Sequence, residues 1–253
     1  RCGADRRLRA RAGAAPRHGL SEGRAGVAAL LRPIAKWRVG PQWYAFALLA
    51  NLVIWLIAFG LVLGPGLLAA ALSHWELLLT TFLPGVALGL LIPSIGEEPG
   101  WRGFALPRLQ RRYGPARGTL ILGALHGLWH LPALGTILFG PMRPAQVVTF
   151  LLTAVAGTFL YTWLYNRSGG SVLLAIVMHA ASNAASQWFN ALFAQSGLAL
   201  PETGLAGWLI GDGWLHVFAY GASALLLLAL TRGRLGAPTA AAAEEARPEG
   251  APA

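Results

Sequence analysis

The stretch Leu91-Ile-Pro-Ser-Ile-Gly-Glu97-Glu98-Pro-Gly-Trp-Arg102-Gly-Phe104 decides how this chain is read. It breaks a hydrophobic run with two carboxylates and an arginine. Such charges at the edge of a membrane span are costly unless paired, hydrated or used. Two further apolar runs carry polar interruptions, His126-Gly-Leu-Trp-His130 and His179-Ala-Ala-Ser-Asn183. Together they hold a carboxylate pair, three imidazoles and an amide. That set suffices for water activation and oxyanion stabilisation inside a membrane.

The surrounding composition is apolar throughout. Of 253 residues, 55% are hydrophobic and 12% charged, and the mean hydropathy is +0.54. A soluble domain carries about a quarter charged residues, so this is the composition of an integral membrane protein. The single cysteine, Cys2, rules out an internal disulfide and a cysteine metal cluster. A net charge of +10 would suit nucleic acid, but basic residues in a membrane protein mark cytoplasmic loops. No nucleic-acid partner is therefore expected. The partners are the lipid bilayer and a peptide or membrane-protein substrate.

A membrane span needs about 20 apolar residues. Six such spans are predicted: 43–63, 77–95, 118–138, 145–165, 171–193 and 214–230. The expected fold is thus all-α, a polytopic membrane helix bundle with short connections and antiparallel neighbours. Residues 1–38 read as a basic cytoplasmic segment, 39–235 as the transmembrane domain, and 236–253, rich in Ala, Pro and Glu, as a disordered tail. Alternate loops hold nineteen of the twenty Lys and Arg, leaving only Arg143 on the other side. Both termini are therefore expected in the cytoplasm.

Depth along the helices groups the polar residues. At 1.5 Å per residue, His126 and His179 each lie about 12 Å along their spans, and His130 and Asn183 about 18 Å. Each pair is spaced i, i+4 and shares a helical face. Glu98 and Arg102 are also i, i+4 and pair if the helix continues past Pro99, whereas Glu97 lies about 100° round and faces elsewhere. Pro84, Pro93 and Pro99 loosen this helix, and proline at depth is tolerated beside a cavity. Taken alone, His126 reads as a residue that bonds helix to helix. Trp101, Trp129 and Trp188 read as packing or interface residues, and Asp212 and His216 as interfacial.

These motifs resemble those of the CAAX protease and bacteriocin-processing (CPBP, or Abi) family of intramembrane endopeptidases. Its first motif is two glutamates, three residues, then arginine, as in Glu97-Glu98-Pro-Gly-Trp-Arg102. Its second is an aromatic, three residues, then histidine. Here His130 fits, but His126 stands where the aromatic is expected. Its third is histidine, three residues, then asparagine, as in His179 and Asn183. The resemblance covers about residues 36–193. Family members have about eight spans, which implies two further spans upstream of Arg1 and an N-terminally truncated sequence. The Ala, Gly and Arg bias suggests a bacterial plasma-membrane protein, and spans three and five, entering from the cytoplasm, put the expected active-site cavity on that side.

The resemblance implies that Glu97 and His130 activate water, that His179 and Asn183 stabilise the oxyanion, and that Glu98 and Arg102 orient the site, with His126 in support. The residues also admit zinc on Glu97, His130 and His179 with water in an open fourth position. No cofactor is favoured, because the Asn183 amide is a poor zinc ligand and a good oxyanion donor. Other intramembrane chemistries fit less well. No His-Glu-x-x-His, no Gly-x-Ser-Gly and no Gly-Asp with a second intramembrane Asp is present. A di-iron site needs about eight histidines, and this chain has six, with His18 and His74 in loops. The rival class is a non-catalytic membrane component, an immunity factor or a peptide-binding partner. Bacteriocin immunity, peptide maturation and membrane-protein turnover all stay open as roles.

Overall fold

The computed structural model describes residue 28 and residues 31–136 and 139–237. Most of the basic segment 1–38 and of the tail 236–253 lies outside the described residues. Among the described residues every regular element is helical.

The helices begin and end where local chemistry dictates. α1, Pro41–Leu63, opens on a proline whose missing N–H costs nothing at a first turn. α2 is the short Gly66–Ser73. α3, Leu78–Tyr113, is long and irregular. It contains two π-helical segments, Leu78–Phe82 and Pro99–Ala105, and a break at Ile92. Pro84, Pro93 and Pro99 each lack the amide hydrogen a regular helix needs. Distortions of this kind cluster at functional sites.

α4, Pro115–Trp129, is shorter than the span expected over 118–138. At about 22 Å it falls short of the roughly 30 Å hydrocarbon core. Pro132 explains the stop: its ring clashes with the carbonyl four residues back, and it disfavours the helical conformation at Leu131. A single 3₁₀ turn, Leu131–Ala133, follows instead.

α5, Pro144–Arg167, and α6, Val172–Ser196, are the long helices of the C-terminal half. The Ser171 hydroxyl caps α6 by accepting from the Leu174 amide, and Gly197 ends it in the left-handed conformation at φ +66°. α7, Gly204–Gly211, and α8, Trp214–Leu230, meet at a bend of 74°.

α6 is the axis of the bundle. Leu174, Ala175, Met178, Ala181 and Ala184 are fully buried, and α1, α3 and α5 pack around it. Small residues permit the closest approaches. A Cβ on Gly89 would lie 2.9 Å from the Ala180 Cα, and one on Gly123 would lie 2.9 Å from the Val155 Cα. These contacts lock α3 to α6 and α4 to α5 by close packing rather than by hydrophobic transfer, as expected where lipid is the solvent.

Three helices, α1, α3 and α5, are long and apolar enough to cross a membrane, or four if α7 and α8 form one broken span. α6 has the length but not the hydropathy, and the reason is its position. A helix sheathed by protein needs no lipid-soluble surface, so His179, Ser182, Asn183 and Gln187 are tolerated on it. The outward faces tell the opposite story: Leu61, Leu91, Ile92 and Leu230 are each more than 70% exposed.

The loops gather at two ends. At one, Lys36 Nζ donates to the Gly169 carbonyl and the Ser171 hydroxyl donates to the Lys36 carbonyl. The Gln110 and Asn166 amides bond reciprocally there, and Asn166 also donates to the Leu235 carbonyl. At the other end Arg143 pairs with Asp212 at 2.8 Å, and Thr149 donates to the Asp212 carbonyl. His216, read from sequence as interfacial with Asp212, instead turns inward. Its ring packs edge-on against Trp55 and Phe59 of α1, because α8 folds back across that helix.

Candidate active site

The break in α3 positions both carboxylates. Pro93–Glu98 forms a short α-helical piece, and Pro99–Ala105 winds as a π-helix. Glu97 and Glu98 therefore leave the helix on different sides. Glu98 points inward and is fully buried; Glu97 is only partly buried.

Glu98 is fully engaged on one oxygen. Its Oε1 accepts from Arg102 Nη1 and from His179 Nδ1, each at 2.8 Å. The expected pairing past Pro99 is thus present. The buried Arg102 guanidinium also lies over the Tyr161 ring, 4.4 Å from its centroid. A buried ion pair is tolerable only when further partners offset its desolvation, and His179 and Tyr161 are those partners. With Nδ1 of His179 turned to Glu98, Nε2 is the ring atom left for other partners.

Glu97 faces α4. Its Oε2 lies 3.2 Å from His126 Nε2. His130 Nδ1 donates to the His126 carbonyl at 2.9 Å. That carbonyl is one of the last in α4 and lacks a regular helical donor, since the His130 amide bonds to Gly127 instead. The side chain thus caps its own helix, and its Nε2 lone pair stays available. Ligand atoms of Glu97, His126 and His130 all fall within 4.8 Å of one another. Glu97 is also within electrostatic reach of His179.

Two half-sites result. Glu97, His126 and His130 meet between α3 and α4, and Glu98, Arg102 and His179 meet between α3 and α6. Asn183 lies one turn beyond His179 on α6, partly buried. His126 stands closer to the chemistry than its sequence reading implied. The potential metal donors are correspondingly Glu97, His126 and His130, with His126 in the place expected for His179.

Aromatic rings wall the Glu97 side. Trp101 lies 4.9 Å from His126 and 6.0 Å from Trp129, and Phe150 lies 5.4 Å from His130, centroid to centroid. Trp101 and Trp129 therefore line the site rather than merely pack, while Trp188 is buried in the core as expected. Sequence reasoning missed Tyr161 and Phe150. Aromatics on an apolar helix give no signal until a neighbour's charge is located. A cavity of about 660 Å³ lies elsewhere, between Arg143 and the segment 199–212.

The sequence has matches among known proteins. Residues 79–185 match the family described as type II CAAX prenyl endopeptidase, Rce1-like. That span includes all three motifs. The chain is also 29% identical over 116 residues to CAAX prenyl protease 2 of Methanococcus maripaludis, a match covering 41% of this chain and 40% of that relative. No solved structure matches. The fold is that of a helical membrane protein, with a polar cluster set among its apolar helices. The matched residues 79–185 are those that carry the motifs by which the chain resembles the CAAX protease and bacteriocin-processing family.

Proposed function

We propose that this protein is an intramembrane endopeptidase that hydrolyses a peptide bond with water activated by Glu97 and His130. The observation that carries the reading is the division of labour between adjacent carboxylates. Glu98 is spent on Arg102 and His179, whereas Glu97 faces two imidazoles at the open side of the site. Two carboxyl groups in different environments serve different roles.

In this mechanism Glu97 takes a proton from water, with the His130 Nε2 lone pair assisting. The resulting hydroxide attacks the scissile carbonyl. His179, its ring carrying both protons against the Glu98 carboxylate, donates from Nε2 to the oxyanion as it forms, and Asn183 donates beside it, which is where preorganised donors contribute most. The proton then passes to the departing amine. Glu98 and Arg102 hold His179 in register, His126 steadies Glu97, and no metal is required.

The substrate is a membrane-associated peptide or protein. The archaeal relative is named a CAAX prenyl protease, so peptides ending in a lipidated cysteine motif are the first class to try. The arrangement in the bilayer is proposed as six spans with both termini cytoplasmic. Supporting this, the segments that meet through Lys36, Gln110, Asn166 and Leu235 are the basic ones, and those that meet through Arg143 and Asp212 carry a single basic residue. By that orientation the site opens toward the cytoplasm. The test is cleavage of a peptide panel, with and without lipidation, by the purified full-length protein. Specific cleavage that Glu97→Gln removes supports the proposal; peptide binding without cleavage across the panel favours the non-catalytic class.

A further inference from the structure

We infer that Glu97, His126 and His130 form a binding site for zinc, and that His179 lies outside it. The proposal begins from the point where this chain departs from the pattern of the family it resembles. An aromatic residue is expected at position 126, and a histidine stands there. The replacement puts two imidazoles one turn apart on one face of α4, a spacing that serves zinc in other helical sites. Glu97 arrives from the neighbouring helix to complete a set of three.

The geometry is close to what zinc requires. Zinc bonds to nitrogen and oxygen at about 2.0–2.2 Å in tetrahedral sites, so neighbouring ligand atoms stand about 3.3 Å apart. Glu97 Oε2 and His126 Nε2 are 3.2 Å apart, and all three donors fall within 4.8 Å. The His130 ring already has the orientation of a ligand: its Nδ1–H is given to a backbone carbonyl, which leaves Nε2 free. The side chains of His126 and Glu97 are just 12% and 16% exposed. Three protein donors would leave a fourth position for water.

His179 is not among the donors that lie within 4.8 Å of one another. The Glu98 oxygen that takes its Nδ1 also holds Arg102. A guanidinium beside His179 disfavours a second cation on that side. A bound zinc would occupy the Glu97 carboxylate and the His130 lone pair, the two groups assigned to water activation. Zinc is therefore an inhibitor of this site. The inhibition rests on the function proposed above; the binding does not.

The experiment is titration of the full-length protein, stripped with a chelator and purified in detergent, with Zn²⁺ alone, and with Co²⁺ as a spectroscopic probe of coordination. One metal per chain is expected, with a visible cobalt spectrum typical of tetrahedral nitrogen and oxygen ligation and a rise in Tm on zinc addition. Loss of an outer partner alone weakens metal sites about 10- to 100-fold, so His126→Phe and His130→Ala should each weaken binding by at least about tenfold. His179→Ala should retain binding. His126→Gln guards against a folding defect in the bulkier variant, and circular dichroism checks each protein. Absence of saturable zinc binding, or binding kept in His126→Phe and lost in His179→Ala, overturns the site. Peptidase activity separates the two proposals. Inhibition by zinc supports both, and a strict requirement for zinc keeps the site but overturns metal-free water activation. Full activity with no zinc binding does the reverse.

Discussion

Glu98 holds His179 by a 2.8 Å hydrogen bond from Nδ1 to the same carboxylate oxygen that pairs with Arg102. The oxygen is buried and its two donors come from different helices, so this one atom ties α3 to α6. Removing its charge has separable consequences. Glu98→Ala strands the buried Arg102 and should cost about 3–5 kcal/mol of stability. Glu98→Gln keeps the shape and one acceptor, and should lower activity less than the corresponding change at Glu97. Thermal melting and turnover of the two variants, measured side by side, check the distinction.

Glu97→Gln should remove turnover with little loss of folded protein. The substitution keeps the side chain's size and its contact with His126 but withdraws the base. A general base contributes about 10²–10⁴-fold, and a loss within that range or beyond it is expected. Near-normal cleavage by Glu97→Gln would sink the assignment of Glu97 as the base.

The sequence was most legible where charge is improbable. Glutamates, an arginine and histidines inside apolar runs have few tolerable explanations, and the structure brings Glu97, Glu98, Arg102, His130 and His179 into two adjoining clusters. Their partition was harder to read. Spacing put Glu98 with Arg102 correctly, but which imidazole faces Glu97 depends on how α4 packs beside α3, which spacing within one helix does not give. Span assignment from hydropathy also had a physical limit. α6 falls outside the candidate spans because it lies inside the bundle, and α4 stops early because of Pro132. Tyr161 was invisible because its significance comes entirely from the guanidinium above it.

Tyr161 offers a test of that last contact. A desolvated cation–π pair is worth about 2 kcal/mol or more. Tyr161→Leu should release Arg102, lower Tm and reduce kcat through misplacement of His179. Tyr161→Phe preserves the ring under Arg102 and should lose less, the remainder reflecting its hydroxyl contact with Ser182. Equal damage in both variants would mean that the hydroxyl, not the ring face, matters.

Gly89 probes the same coupling from a distance. An added Cβ meets the Ala180 Cα and Cβ at 2.9 Å, and backbone cannot yield as a flexible side chain would. Gly89→Ala should destabilise by about 1–3 kcal/mol and push α3 away from α6 next to His179. Misplacement by about 1 Å can cost about 10²-fold in rate. Activity should therefore fall more than stability alone explains, as judged by kcat measured well below the variant's Tm. Gly221, whose Cβ would meet open space, supplies the control: Gly221→Ala should leave activity unchanged.

Chelation distinguishes the two ways of activating water. If Glu97 and His130 act directly, exhaustive treatment with a chelator should leave cleavage intact, and the treated protein should hold no stoichiometric zinc. Asn183 belongs to this route, because an amide donates well to an oxyanion and ligates zinc poorly. Asn183→Ala should then lower kcat by about 10²–10³-fold, the loss seen when one oxyanion donor is removed, with KM changing far less. The zinc route expects a different pattern. The stripped protein would be inactive and added zinc would restore it, while His126→Ala and His130→Ala would each lose metal and activity together. Measuring zinc content and kcat on the same stripped and reloaded samples separates these patterns. An inactive stripped protein, restored by one zinc per chain, would show that the carboxylate acts through a metal rather than alone.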